Sequence, residues 1–150
     1  MNLGRVACAV LLTTLALVAG CKTTSEEVKT TDSRSLYDRL GGKEALTAVI
    51  DDFLTRVAND KRISAFFAHA NRPRLVQLLV EQICQASGGP CTYAGKDMKT
   101  AHQAMGISSD DFDALLQDLV ASLDTFKIGE REKGELLALL RPMQSEIVEK

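Results

Sequence analysis

An all-α fold is predicted for residues 35–150 of this chain by three features of its sequence. Apolar residues recur at intervals of three and four in every long segment, as they do along one face of a helix. Glycine and proline, which break helices, separate these segments from one another. No segment alternates apolar and polar residues with β-branched side chains, as a half-buried strand would.

The first helices follow directly from these patterns. Residues 36–40 form a helical turn that the glycine pair at 41–42 stops. The long helix after it has an apolar face of three turns, formed by Leu46, Val49, Ile50, Phe53, Leu54 and Val57. A short segment over 63–67 comes next, and Asp60 is placed to cap it.

Pro73 suits the first turn of the second long helix, because its ring fixes a helical φ and the first backbone N–H groups lack helical partners anyway. One face of this helix holds Leu75, Leu78, Leu79, Gln82 and Ile83. The sequence Gly88-Gly89-Pro90 breaks it. A short helix is then expected over 98–107, with Gly106 as its end.

The last two long helices also have recognisable starts. Ser108 and Asp111 have the spacing of a capping box. The helix that they open has a buried stripe of Phe112, Leu115, Leu116, Leu119, Val120 and Leu123. Gly129 precedes the final helix, which Pro142 should bend because its ring removes one backbone hydrogen bond.

Residues 1–20 have the pattern of a lipoprotein signal peptide. An apolar run over 6–18, too short to span a bilayer, follows Arg5 and ends in Val18-Ala19-Gly20-Cys21. We expect cleavage before Cys21 and a lipid on its thiol, with an ordinary secretory signal or a plain membrane anchor as the alternative.

The residues after this cysteine predict a location in the cell envelope. Lys22 is the next residue, and by resemblance to lipoproteins of Gram-negative bacteria it favours the outer membrane, facing the periplasm. The polar stretch 21–34 is typical of a flexible tether between lipid and domain. In the oxidising periplasm, Cys84 and Cys91 can close a disulfide, and two free thiols are the alternative.

His102 lies on an apolar stripe with Met98 and Met105, because residues three and four apart share a helix face. A histidine in this position has two interpretations. It is a core residue whose ring N–H meets a carbonyl, or it is an axial ligand of haem iron whose second ring nitrogen is hydrogen-bonded.

The order of all these features resembles the group 1 truncated haemoglobins. The matching residues are Leu36-Tyr37-Asp38-Arg39-Leu40-Gly41-Gly42, Asp52-Phe53, Phe66-Phe67, Gly88-Gly89-Pro90, Tyr93-x-Gly95, and Met98-x-x-x-His102 with Gly106-Ile107. They span nearly the whole domain over 35–150. The resemblance implies a truncated globin fold, a two-over-two helical sandwich around haem b.

The resemblance also implies roles for single residues. His102 is the expected proximal ligand of the iron, and Phe67 the ring that packs against the porphyrin. The proximal and lateral pocket is expected to contain Met98, Ile107, Phe112 and Leu115. His69 falls where the globin corner often reaches a haem propionate, and a solvated loop histidine is the alternative.

The distal side departs from the family pattern. Leu54 stands where the family usually has a Tyr that donates to bound O₂, and Leu79 stands where it usually has a Gln. Leu78 replaces a residue that is often basic. We expect an apolar distal wall of Leu54, Leu75 and Leu79 with Phe53 behind it, which should weaken O₂ binding more than CO or NO binding.

We therefore expect a lipid-anchored periplasmic haem protein that binds O₂, NO or CO, with a reductase of unknown identity as partner. Gln82 could replace the missing donor if its helix shifts. Leu54 counts against NO dioxygenation, and no distal acid–base residue supports peroxidase chemistry. The alternative is a globin-fold envelope protein that has lost haem, has a collapsed core and serves as an interaction module. The net charge of −2, without a Lys/Arg cluster, argues against a nucleic-acid partner.

Overall fold

The computed structural model describes residues 32–150, and all regular secondary structure in that range is helical. The α-helices are α1 Leu36–Arg39, α2 Gly42–Asn59, α3 Arg72–Ala86, α4 Met98–His102, α5 Ser109–Thr125, α6 Glu130–Leu140 and α7 Gln144–Ile147. Two 3₁₀ helices, Ser64–Phe67 and Arg141–Met143, lie between them. The all-α prediction is confirmed for this part of the chain.

The predictions for the N-terminal residues concern a part of the chain that precedes the described range. The signal peptide over 1–20, the lipidated Cys21 and most of the tether over 21–34 lie outside the described residues. Within 32–150, no helix combines the length and the apolar character that crossing a bilayer requires.

Local sequence signals explain where two of the long helices, α3 and α5, begin. The side chain of Asn71 accepts a hydrogen bond from the N–H of Arg74, with Pro73 in the first turn of α3. Ser108 and Asp111 form both bonds of a capping box at the start of α5. Each side chain satisfies a backbone N–H that has no partner inside its helix.

Two helices end earlier than the sequence predicts. α4 ends at His102 instead of Gly106, because the chain turns there and Ala104 adopts a positive φ of 62°. The final helix is not merely bent at Pro142 but divided, since α6 stops at Leu140 and the Arg141–Met143 3₁₀ helix separates it from α7. Proline lacks the N–H that would continue the α-helical ladder.

Two groups of buried side chains form the core. In the larger, α2 packs against α3 and α5. Its most deeply buried members are Leu40, Leu46, Ile50, Val57, Ile63, Cys84, Leu123 and Leu136. The smaller group joins α5 to the C-terminal residues and consists of Ile107, Phe112, Leu116 and Ile147. We call these the main cluster and the C-terminal cluster.

An ion pair fixes the first helix to the sixth. The Arg39 side chain, which is 7% exposed, donates to Glu132 at 2.6 Å and also to Glu135. Arg39 lies two residues before the turn at Gly41, so this contact holds the end of α1 next to that turn. Gly41 has a φ of +93°, and a Cβ there would lie 2.7 Å from that of Ala45.

Candidate functional site

A cavity of about 360 Å³ opens between the two clusters and is the candidate site. Its wall draws on members of both clusters and is mostly apolar. Its volume lies in the range of about 300–1,000 Å³ that is typical of small-molecule sites. The interaction-module interpretation expected that the leucines replacing the usual distal residues would fill this space. Since the cavity is open, they do not fill it.

His102 is the basic side chain on this wall, and a backbone contact determines which of its ring nitrogens carries the proton. The ring is half-buried, and its Nδ1 lies 2.8 Å from the carbonyl oxygen of Met98, one helical turn earlier. A carbonyl oxygen can only accept a hydrogen bond, so Nδ1 carries the proton. In the neutral ring this leaves the lone pair of Nε2 available to a metal.

The helix that carries His102 is short but capped. The Asp97 side chain accepts a hydrogen bond from the N–H of Thr100 at 2.8 Å, which starts the helix. That bond, together with a second contact to the Thr100 side chain, lowers the pKa of Asp97, so its carboxylate is ionised at neutral pH. A carboxylate at a helix N-terminus also interacts favourably with the helix dipole.

Most of the residues expected to surround a cofactor lie on the cavity wall. They are Phe67, Leu75, Leu79, Met98, His102, Ile107, Phe112 and Leu115. Leu78 lies there too. α3 therefore contributes three leucines that carry no hydrogen-bond donor, and one turn further on the same helix contributes the amide of Gln82.

Leu54 is a correction to the predicted distal wall. It is 4% exposed and packs in the main cluster, but it does not line the cavity. Ile50 and Phe53 line it instead. Successive helical residues point about 100° apart, so Phe53 and Leu54 face different neighbours although both are buried.

His69 is the second correction. It is exposed, in the turn after the 3₁₀ helix, and it is not among the residues of the wall. Its neighbours Phe67 and Ala70 are on the wall. The structure thus agrees with the alternative interpretation of His69 as a solvated loop residue.

Gln82 does line the cavity, and its amide has unusual partners. The Nε2 atom lies 3.2 Å from the Sδ atom of Met98 and 3.4 Å from that of Met143. Thioether sulfur is a weak acceptor. Gln82 therefore joins α3 to the histidine helix and to the C-terminal segment.

Three further wall residues lie outside the predicted haem pocket, namely Met105, Met143 and Tyr93. Met105 and Met143 are partly buried beside the C-terminal cluster. Tyr93 lies in the loop between α3 and α4. Its hydroxyl donates to the carbonyl of Lys96 at 2.8 Å, and burial raises its pKa. Tyr93 lies in a loop, where apolar spacing gives no signal, whereas Met105 stands three residues after His102 and its spacing could have placed it on the wall.

Comparison with known proteins assigns the family. The family model described as bacterial-like globin matches residues 35–149. A group 1 truncated haemoglobin of Mycolicibacterium paratuberculosis is 37% identical over 113 residues, which are 75% of this chain and 83% of the relative. The chain belongs to the truncated haemoglobin family.

Other truncated haemoglobins agree with this assignment. That of Synechocystis is 32% identical over 109 residues, covering 70% of this chain and 88% of the relative. The crystal structure of the Tetrahymena pyriformis protein in its Fe(III) form superposes with a TM-score of 0.75 at 26% identity, covering 78% of this chain and all of the other. The all-α, two-over-two truncated globin fold is confirmed.

This truncated haemoglobin has a disulfide beside its cavity. Cys84 and Cys91 are bonded, with their Cα atoms 5.7 Å apart. Cys84 follows the wall residue Ile83, and Cys91 lies two residues before Tyr93. The bond therefore ties the C-terminal part of α3 to the loop that leads to α4 and His102.

Proposed function

We propose that this protein binds haem b through Nε2 of His102 and takes up a diatomic gas, O₂, NO or CO. Haem b supplies an iron atom with an open coordination position for such a gas. Membership of the globin family supports haem-based gas binding in general. The observation that carries the residue assignment is the His102 ring on the cavity wall, with Nδ1 held by the Met98 carbonyl.

The donor set of the cavity fits this cofactor. Among the residues that the structure describes, no three His, Cys, Asp or Glu side chains converge on one point. A single histidine suits a metal that arrives with four ligands of its own, as haem iron does in its porphyrin. A metal-bound histidine commonly donates its other ring N–H to a carbonyl or carboxylate, which is what Nδ1 does here.

The side chains of α3 govern which gas is retained. Leu75, Leu78 and Leu79 can enclose a small ligand but cannot donate a hydrogen bond to it. A ligand that becomes strongly polarised gains most from a donor and therefore loses most without one. The Gln82 amide on the same helix is directed at the sulfurs of Met98 and Met143, so the wall favours CO and NO over long retention of O₂.

The same wall supports binding rather than turnover. The hydroxyl of Tyr93 donates to a carbonyl, and the Asp111 carboxylate is held by Ser108 in the cap of α5. Neither is placed to relay protons to a substrate in the cavity. Reversible gas binding, or sensing or scavenging of NO, fits this arrangement better than peroxidase or dioxygenase chemistry. A reductase would be needed to keep the iron ferrous.

The visible spectrum of the purified protein, reconstituted with haemin, tests the assignment. The chain has only two histidines, so His69→Gly is a matched control for His102→Gly. We expect wild type and His69→Gly to give the same Soret band and the same ferrous CO spectrum. His102→Gly should lose the histidine-ligated spectrum and recover it when free imidazole is added. An unchanged spectrum in His102→Gly would overturn the proposal.

The envelope location is a separate proposal that rests on the sequence of residues 1–22. We expect a lipid on Cys21 and attachment to the outer membrane, facing the periplasm. Expression with radiolabelled palmitate should label wild type and leave Cys21→Ala unlabelled. Label on Cys21→Ala, or wild type in the cytoplasmic fraction, would contradict it.

A further inference from the structure

The chain makes an unusual turn directly after His102. α4 ends there, and Gln103 takes an extended ψ of 134°. Ala104 then adopts a φ of +62°, in the left-handed region that alanine seldom occupies, and Gly106 has a φ of +66°. A non-glycine residue keeps such a conformation only where its surroundings hold it.

The side chain that holds this turn is Glu149. One carboxylate oxygen accepts the N–H of Ala104 at 2.7 Å, and the other accepts the N–H of Gly106 at 2.5 Å. The backbone N–H of Glu149 donates to the carbonyl of Ile107 at 2.9 Å. Three hydrogen bonds therefore join one residue of the C-terminal segment to the four residues after Gln103.

The position of Glu149 is itself well defined. Ile147, two residues earlier, is 9% exposed and packs with Ile107 and Phe112 in the C-terminal cluster. The N–H of Val148 continues the helical bonding of α7 by donating to the carbonyl of Gln144. Packing of Ile147 and the hydrogen bond of Val148 therefore fix the backbone that carries the Glu149 side chain.

The negative charge of the Glu149 carboxylate strengthens its hydrogen bonds to the turn. The hydrogen bonds from Ala104 and Gly106, with a smaller contribution from the adjacent Lys150, lower the pKa of Glu149. Hydrogen bonds to an ionised acceptor are stronger than those between neutral groups. No other carboxylate reaches these two N–H groups in the part of the chain that the structure describes.

We propose that Glu149 is a positioning residue for His102. By fixing the turn at 104–106, it fixes the C-terminal end of α4 and so the direction in which the imidazole meets the cavity. The consequence for haem rests on the proposed function, whereas the effect on the ring itself does not. A plain C-terminal cap would stabilise the turn without affecting the ring.

The haem-free protein provides the first test. Glu149→Ala should speed amide hydrogen exchange at Ala104 and Gly106 by about two- to tenfold, because both hydrogen bonds are exposed to solvent and therefore screened. The rotamer of His102, read from three-bond NMR couplings, should change from a single state to an average. Glu149→Gln, which keeps one acceptor oxygen, should fall between wild type and Glu149→Ala. Glu146→Gln, at an exposed carboxylate on the same segment, should match wild type.

The haem-loaded protein provides the second test. Glu149→Ala should shift the iron–histidine stretching band in the resonance Raman spectrum and speed transfer of haem to an excess of a haem-scavenging protein. Faster exchange with an unchanged His102 rotamer and band would overturn the proposal and leave Glu149 as a cap only. Unchanged exchange would overturn it as well. A wild type that takes up no haem would defeat the proposed function alone, because the rotamer measurement still decides the role of Glu149.

Discussion

Replacing Leu79 by Gln tests the link between the wall of α3 and the choice of gas. Leu79 is half-buried and lines the cavity, so a glutamine there places an amide N–H₂ where the wall has only methyl groups. Glutamine is close to leucine in size, and the side chain sits on the cavity instead of inside the packed core. We therefore expect the variant to fold.

The expected magnitude follows from a single hydrogen bond. A donor bond to a polarised or charged group contributes about 1.5–3 kcal/mol. At about 1.4 kcal/mol for each factor of ten, O₂ should leave Leu79→Gln about ten- to a hundredfold more slowly than wild type. CO is less polarised, so its release should change far less.

Stopped-flow O₂ release and laser photolysis of the CO form measure these rates. Leu79→Met is the matched control, because it changes shape by a similar amount and adds no donor. Equal O₂ release from Leu79→Gln and Leu79→Met would refute the reasoning. So would a wild type that already releases O₂ as slowly as Leu79→Gln, since a donor such as the Gln82 amide would then already reach the bound gas.

Three further predictions concern the fold. Replacing Cys84 and Cys91 together by Ala should lower the free energy of unfolding by about 2–3 kcal/mol in urea titrations, from the loop entropy alone; a change near zero would mean that the bond does not form in solution. Leu123→Ala, at a side chain that is fully buried in the main cluster, should cost about 2–5 kcal/mol by the same assay, and a cost below that range would show that the core relaxes into the space. The hydrogen bonds from Ser108 lower the pKa of Asp111, so its ionised form stabilises the fold above the unfolded-state pKa and the contribution disappears as the pH falls below about 4. Asp111→Asn should therefore lose less stability on acidification than wild type, measured as the melting temperature against pH, and parallel curves would contradict the assignment.

The sequence predicts those parts of the fold that depend on near neighbours. The cap formed by Ser108 and Asp111 acts within three residues, and helix faces repeat over a turn, so both can be recognised from spacing. The choice between Phe53 and Leu54 could not be made in this way. Periodicity identifies the buried side of α2, but which of two adjacent buried residues meets the cavity depends on how the helix is rotated against α3 and α5.

Contacts between distant residues explain the other differences. α4 ends at His102 because a carboxylate 47 positions further along the chain holds the turn after it. The contact of Gln82 with Met98 and Met143 joins three separate segments. No local pattern of residues encodes such long-range contacts, which form only when the helices pack together.

The composition of the cavity wall affects how stable the protein is in the cell. Because both clusters contribute to it, whatever occupies the cavity holds the two parts of the core together, and it does so only in the native state. By mass action, an occupant at a hundred times its dissociation constant adds about 2.7 kcal/mol to the free energy of unfolding. Chains that have not acquired their prosthetic group would open more often and be degraded first, so the supply of that group would set how much of the protein accumulates.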